Sequence, residues 1–126
     1  MISGGFDIDG AIRKIPDHPH EGILFYDLMP LFQSPAGLAA GVERLSGWAR
    51  ERAPDVVIGI EARGFVLGGA LARELGVGFA GARKAGKLPG AAVRAEYALE
   101  YGTAVLELHV AAIHAGQRVP VHDDLR

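Results

Sequence analysis

Apolar residues recur along this chain at two spacings, and the alternation between them outlines its elements. Leu38, Val42, Leu45 and Ala49 fall three or four positions apart, the period that gathers side chains on one helical face. Ser34-Pro35 just ahead of them is a helix start, because serine can cap and proline fits the first turn. Arg50 and Arg52 lie at the far end, where the helix dipole favours cations, and Pro54 stops the helix. Val56-Val57-Ile58-Gly59-Ile60 is short, apolar and mostly β-branched, which reads as a buried strand of the parallel kind. Residues 64–75 read as a helix, apolar nearly all round in its first half and therefore buried, closed by Gly76. Residues 77–82 read as the next strand. A strand, helix, strand succession implies a right-handed crossover and a parallel sheet flanked by helices.

The flanking segments are less regular. Residues 8–13 read as a short helix capped by Asp7 or Asp9. Residues 16–30 hold three prolines and read as an extended loop with Ile23, Leu24 and Phe25 at its centre. Residues 83–90 turn basic, contain glycine and proline, and read as a loop. Residues 92–99 and 103–109 read as two strands around Tyr101-Gly102. Residues 110–115 read as a short helix ending at Gly116, and residues 118–122 as a last strand leading to Asp123-Asp124. No repeat, low-complexity stretch or linker divides the chain, so residues 1–126 read as a single α/β domain.

Composition narrows the function. The chain has 126 residues, 49% hydrophobic and 22% charged, the balance of a globular domain of ordinary size. A net charge of -2 carries no basic footprint for nucleic acid. The absence of cysteine excludes disulfides and thiolate metal sites, and suits the cytoplasm. Residues 1–10 lack the basic-then-apolar order of a signal peptide, and no apolar run is long enough to span a membrane.

Ligands of open α/β sheets bind beyond the carboxyl ends of the strands, and three such ends stand out. Glu61-Ala62-Arg63-Gly64 joins a buried strand to a buried helix, where backbone N–H groups and Arg63 suit an anion; the plain alternative is a solvated turn. Arg83-Lys84-Ala85-Gly86-Lys87 places three cations in five residues after a strand, fit for a polyphosphate; the alternative is an ordinary basic surface loop. Asp123-Asp124 follows an apolar strand, where acids bind Mg²⁺ or accept from sugar hydroxyls; the alternative is a polar loop start. Anion donors on one side and carboxylates on the other match a phosphorylated sugar. The five histidines include His18 and His20 around Pro19, and His109 and His114 five apart. Neither spacing clamps a metal, and they read as surface or structural residues.

These segments together resemble a known family. Ile15-Pro16-Asp17-His18-Pro19 with Gly22-Ile23-Leu24-Phe25-Tyr26-Asp27 is similar to the base-binding segment of adenine phosphoribosyltransferases. Gly59-Ile60-Glu61-Ala62-Arg63-Gly64-Phe65 resembles their pyrophosphate loop. Arg83-Lys84, Gly86-Lys87-Leu88-Pro89, Glu96-Tyr97 and Leu99-Glu100-Tyr101-Gly102 resemble their mobile catalytic loop. Gly116-Gln117-Arg118-Val119 leading to Asp123-Asp124-Leu125 resembles the strand entering their sugar-phosphate motif. The likeness is collinear from about Ile12 to Leu125.

The resemblance implies the type I phosphoribosyltransferase fold, with residues 1–34 supplying an N-terminal helix and a small hood over the base. It implies adenine plus phosphoribosyl pyrophosphate giving AMP and pyrophosphate, with Mg²⁺ carried by the donor and no direct protein ligand, in a cytoplasmic homodimer when full length. Phe25 would stack on adenine and the backbone at Leu24 and Tyr26 would read its edge. Arg63, Arg83, Lys84 and Lys87 would hold pyrophosphate. Glu100 would assist proton transfer at the purine imidazole ring, Tyr101 would close over the site, and Asp123 and Asp124 would accept from the ribose hydroxyls.

Several positions depart from the family pattern. Tyr26 stands where the family usually has arginine, Pro120 lies inside the expected last strand, and His122 replaces an aliphatic residue. The family's Thr-Gly-Gly-Thr turn, which wraps the sugar 5′-phosphate, would follow Leu125, so the resemblance implies a fold incomplete at the C-terminus and impaired turnover. A non-catalytic purine- or nucleotide-binding remnant and a xanthine-preferring relative are the alternatives.

Overall fold

The structure is a computed structural model describing residues 5–99 and 102–122. A short helix α1 (Ile8–Ala11) is capped by Asp7, whose carboxylate accepts from Gly10 N–H at 3.0 Å. It ends two residues earlier than the pattern predicts, because Arg13 already belongs to strand β1 (Arg13–Pro16). β1 pairs antiparallel with β2 (Leu24–Asp27), Ile15 opposite Phe25. The expected extended loop is thus a hairpin: its prolines lie at the end of β1, in the turn and beyond β2, so the paired N–H groups are spared. Helix α2 (Met29–Gln33) follows, and α1 and α2 both pack on α3 (Pro35–Arg50).

Ser34 caps α3, its hydroxyl accepting from Gly37 N–H at 3.1 Å. β3 (Val56–Ile60), α4 (Gly64–Leu75) and β4 (Gly78–Lys84) form the predicted crossover, with β3 and β4 parallel. Gly76 closes α4 at φ 72°, the left-handed conformation that side chains disfavour. Ala49, Val57, Leu71 and Ala72 form the buried centre, with Leu45, Leu75 and Val77 against it. Burying one such leucine stabilises the fold by roughly 1.5–3 kcal/mol.

The main sheet runs β5-β6-β4-β3-β7, with β5 (Ala92–Leu99), β6 (Gly102–His109) and β7 (Val121–His122). β4, β3 and β7 are parallel. β6 and β5 add to β4 antiparallel, so the expected parallel sheet carries an antiparallel wing. Arg83 and Lys84, expected in a loop, are the last residues of β4 and pair with Glu107 and Leu106. The helix expected over residues 110–115 does not form; the chain turns there, with Ala112 N–H donating to His109 O at 3.0 Å. So short a segment cannot offset the unfavourable first turn of a helix without packing. Pro120 is accommodated at the sheet edge: its carbonyl accepts from Ile58 N–H at 3.0 Å, and proline lacks only the donor.

Candidate active site

β3, β4 and β7 end side by side because they are parallel and in register, Ile60 opposite Ala82 and Gly59 opposite His122. That register delivers Glu61 to the end of β4, where its N–H donates to Ala82 O at 2.9 Å. The tight start of α4 needs glycine at position 59. A Cβ there would lie 2.6 Å from Gly64 O and 2.7 Å from the Phe79 ring, closer than atoms can pack.

The Glu61 carboxylate is the hub of this end. Its Oε1 accepts from Lys84 N–H at 2.8 Å, and its Oε2 from Lys87 Nζ at 3.1 Å and Arg83 Nη2 at 3.4 Å. The side chain is only 9% exposed, so Glu61 itself is not a solvated turn residue. The Lys84 backbone N–H above all, then Lys87 and Arg83, hold its pKa down to about 2 against the opposing effect of burial. Arg83 also reaches Lys87 O at 3.5 Å, and its Nε is buried with no hydrogen-bond partner among the described residues. Two of the three cations, Arg83 and Lys87, therefore converge on Glu61, while Lys84 contributes its backbone N–H.

Arg63, at the cap of α4, sets its guanidinium 5.2 Å from the Phe25 ring centroid. The segment around Phe25 and the turn between β3 and α4, far apart in sequence, thus meet. Phe25 is half-buried, with His18 edge-on at 4.9 Å. Leu24 and Tyr26 alternate to the exposed face of β2. Among the described residues β2 has a single partner strand, so its other edge leaves backbone donors and acceptors unpaired within that sheet. Glu100, Tyr101, Asp123 and Asp124 lie outside the described residues. Among the described residues, no group of three His, Cys, Asp or Glu could hold a metal ion, and no helix is long and apolar enough to cross a membrane.

Sequence reasoning did not single out Glu107. It is 6% exposed in the middle of the antiparallel wing, and accepts from Gly86 N–H at 2.8 Å and from Arg94 Nε at 2.7 Å. Both contacts, the backbone N–H of Gly86 first, hold its pKa below the usual carboxylate range. The signal available was an acid between Leu106 and Leu108 in an apolar strand, and its partner depended on register. A separate cleft of about 560 Å³, bordered by Phe79, Gly81, Pro89, Leu108 and Val110, contains none of the predicted site residues.

Comparison with known proteins agrees with this geometry. The phosphoribosyl transferase domain family matches residues 31–125. A Synechococcus adenine phosphoribosyltransferase is 48% identical over 120 residues, covering 94% of this chain and 69% of the relative. The chain belongs to the adenine phosphoribosyltransferase family. The crystal structure of the adenine phosphoribosyltransferase from Thermoanaerobacter pseudethanolicus superposes with a TM-score of 0.88 at 44% identity, over 93% of this chain and 68% of that one. The Giardia lamblia enzyme, solved with 9-deazaadenine, gives 0.88 at 38% identity over 98% of this chain and 68% of that one. The chain spans about two thirds of the length of these relatives.

Proposed function

We propose that this chain carries the base and pyrophosphate sites of a cytoplasmic purine-salvage enzyme that converts adenine and phosphoribosyl pyrophosphate to AMP and pyrophosphate. The observation that carries the reading is the Arg63 guanidinium 5.2 Å from the Phe25 ring, two residues along the chain from Glu61, on which Arg83 and Lys87 gather. An aromatic face for a purine and a group of cations for a polyphosphate are thus both tied to the turn between β3 and α4.

In this reading the β1–β2 hairpin is the hood. Phe25 stacks on adenine while the backbone at Leu24 and Tyr26 reads its edge; a backbone contact survives tyrosine in place of arginine. As the glycosidic bond forms, positive charge develops on the ribose and negative charge on the departing pyrophosphate. Arg63, Arg83, Lys84 and Lys87 stabilise the leaving group, and Asp123 and Asp124 accept from the ribose hydroxyls. Glu100 assists proton transfer at the purine imidazole ring, and Tyr101 closes over the site to keep water from the activated sugar. Mg²⁺ would be held by the donor's phosphates, since the Glu61 oxygens are already engaged by Lys84, Lys87 and Arg83 and Mg²⁺ is commonly held through substrate phosphates.

Calorimetric titration tests the reading. Adenine and magnesium pyrophosphate should each bind, and adenine should compete out guanine and xanthine. Absence of adenine binding, or preference for xanthine, overturns it. The full-length enzyme is proposed to be a homodimer, which a monomer in sedimentation at high concentration would refute.

A further inference from the structure

Glu107 lies outside the pyrophosphate loop and outside the β5–β6 tip, yet it grips the turn that carries the cations. Its backbone stands between Arg83 of β4 and Arg94 of β5, opposite both in register. Directly opposed residues on neighbouring strands share a face, and the Arg94 guanidinium pairs with the carboxylate at 2.7 Å, while that of Arg83 turns to Glu61. One oxygen accepts from Arg94 Nε, and the other from Gly86 N–H across 21 residues of sequence. Glu61 takes Lys84 N–H and Lys87 Nζ on the other side. The turn from Lys84 to Lys87 is thus pinned at Lys84, Gly86 and Lys87 by two nearly buried carboxylates, their side chains 9% and 8% exposed. Gly86 has φ 86°, so a turn of unusual backbone conformation is held at its centre.

We infer that Glu107 is a positioning residue for pyrophosphate binding, fixing Gly86 so that Lys84 and Lys87 meet the anion already ordered. This rests on the proposed role of those lysines. Glu107 does not touch the ligand, and Arg94 neutralises its charge next to an anion site. Its contribution is pre-organisation: a loop already in its binding conformation loses less freedom when the ligand arrives.

The test titrates inorganic pyrophosphate, with Mg²⁺ present, into the wild-type chain, Glu107→Leu, Glu107→Gln and Lys87→Ala, alongside adenine. Glu107→Leu should weaken pyrophosphate binding roughly tenfold, the scale of one hydrogen bond to a charged group, and leave adenine affinity unchanged. Glu107→Gln keeps an acceptor for Gly86 N–H and should recover most of the loss. Combined with Lys87→Ala, the Glu107→Leu loss should shrink, because both act through one turn. If Lys87→Ala binds pyrophosphate as well as wild type, the site assignment itself fails. If Lys87→Ala weakens binding and Glu107→Leu does not, the site stands and the role of Glu107 is overturned. Equal losses for adenine and pyrophosphate, or additive losses in the double variant, also overturn it. Should Glu107→Leu not fold, hydrogen exchange in the wild-type chain decides: slow exchange of the Gly86 amide supports the role, and exchange at the rate of a free loop amide refutes it.

Discussion

The guanidinium of Arg63 stands over the ring of Phe25 at 5.2 Å, joining a residue at the start of α4 to one on the N-terminal hairpin. Such a contact is worth about 0.5–1 kcal/mol where exposed. Its greater consequence is geometric, since it ties the aromatic face to the turn that carries Glu61 and Arg63.

Phe25→Ala should weaken adenine binding by roughly tenfold or more, because stacking a base on an aromatic ring contributes about 1–3 kcal/mol. Calorimetry with adenine measures this. An unchanged affinity accompanied by a lower melting temperature would mean that Phe25 only packs.

Arg63→Met keeps much of the side chain's apolar length and removes the guanidinium. It should weaken pyrophosphate binding by roughly tenfold or more, on the scale of a charge-assisted hydrogen bond, and affect adenine less. A larger effect on adenine than on pyrophosphate would reverse the assignment of the loop.

Glu61 gives a pH dependence of known sign. Its pKa is lowered from the ordinary 4.5 to about 2, so the folded state favours the carboxylate. The stability this contributes is fully present above pH 4.5 and is lost as pH falls from there through about 2. Glu61→Gln should be less stable than wild type at neutral pH, and the gap should close across that acid range. Denaturant unfolding at several pH values checks it; a gap independent of pH would show that the folded state does not favour the charged form of Glu61.

Gly59→Ala should destabilise the fold by about 1–3 kcal/mol, the usual effect of forcing a methyl group into a filled site. The added carbon would meet Gly64 O and the Phe79 ring, so the start of α4 must shift. Melting should fall, and pyrophosphate affinity should fall with it because Arg63 rides on that helix start. Wild-type stability in this variant would mean that the strand-to-helix approach is looser than described.

Much of the framework was legible in the chain. The Ser34 cap, the α3 stripe, the β3 run and the Gly76 stop are set by local chemistry: capping groups, 3.6-residue periodicity and the conformational range of glycine. The ordered motifs around Phe25, Arg63 and Lys84 identified the family before any fold was known. By contrast, Val110-Ala111-Ala112-Ile113 looked helical and is not, because so short a stretch has no preference strong enough to survive without a packed face. Periodicity likewise marked residues 92–99 and 103–109 as strands without naming their partners, so the antiparallel wing and the place of Arg83 and Lys84 at the end of β4 were not legible.

The sequence by itself thus determined the central elements from α3 to β4 and the chemistry available at the strand ends. The tertiary structure alone decided that Glu61 and Glu107 close on the Lys84–Lys87 turn from 23 and 21 residues away. Strand register brings such partners together, and register is set by pairing across the whole sheet, which no local window of residues encodes.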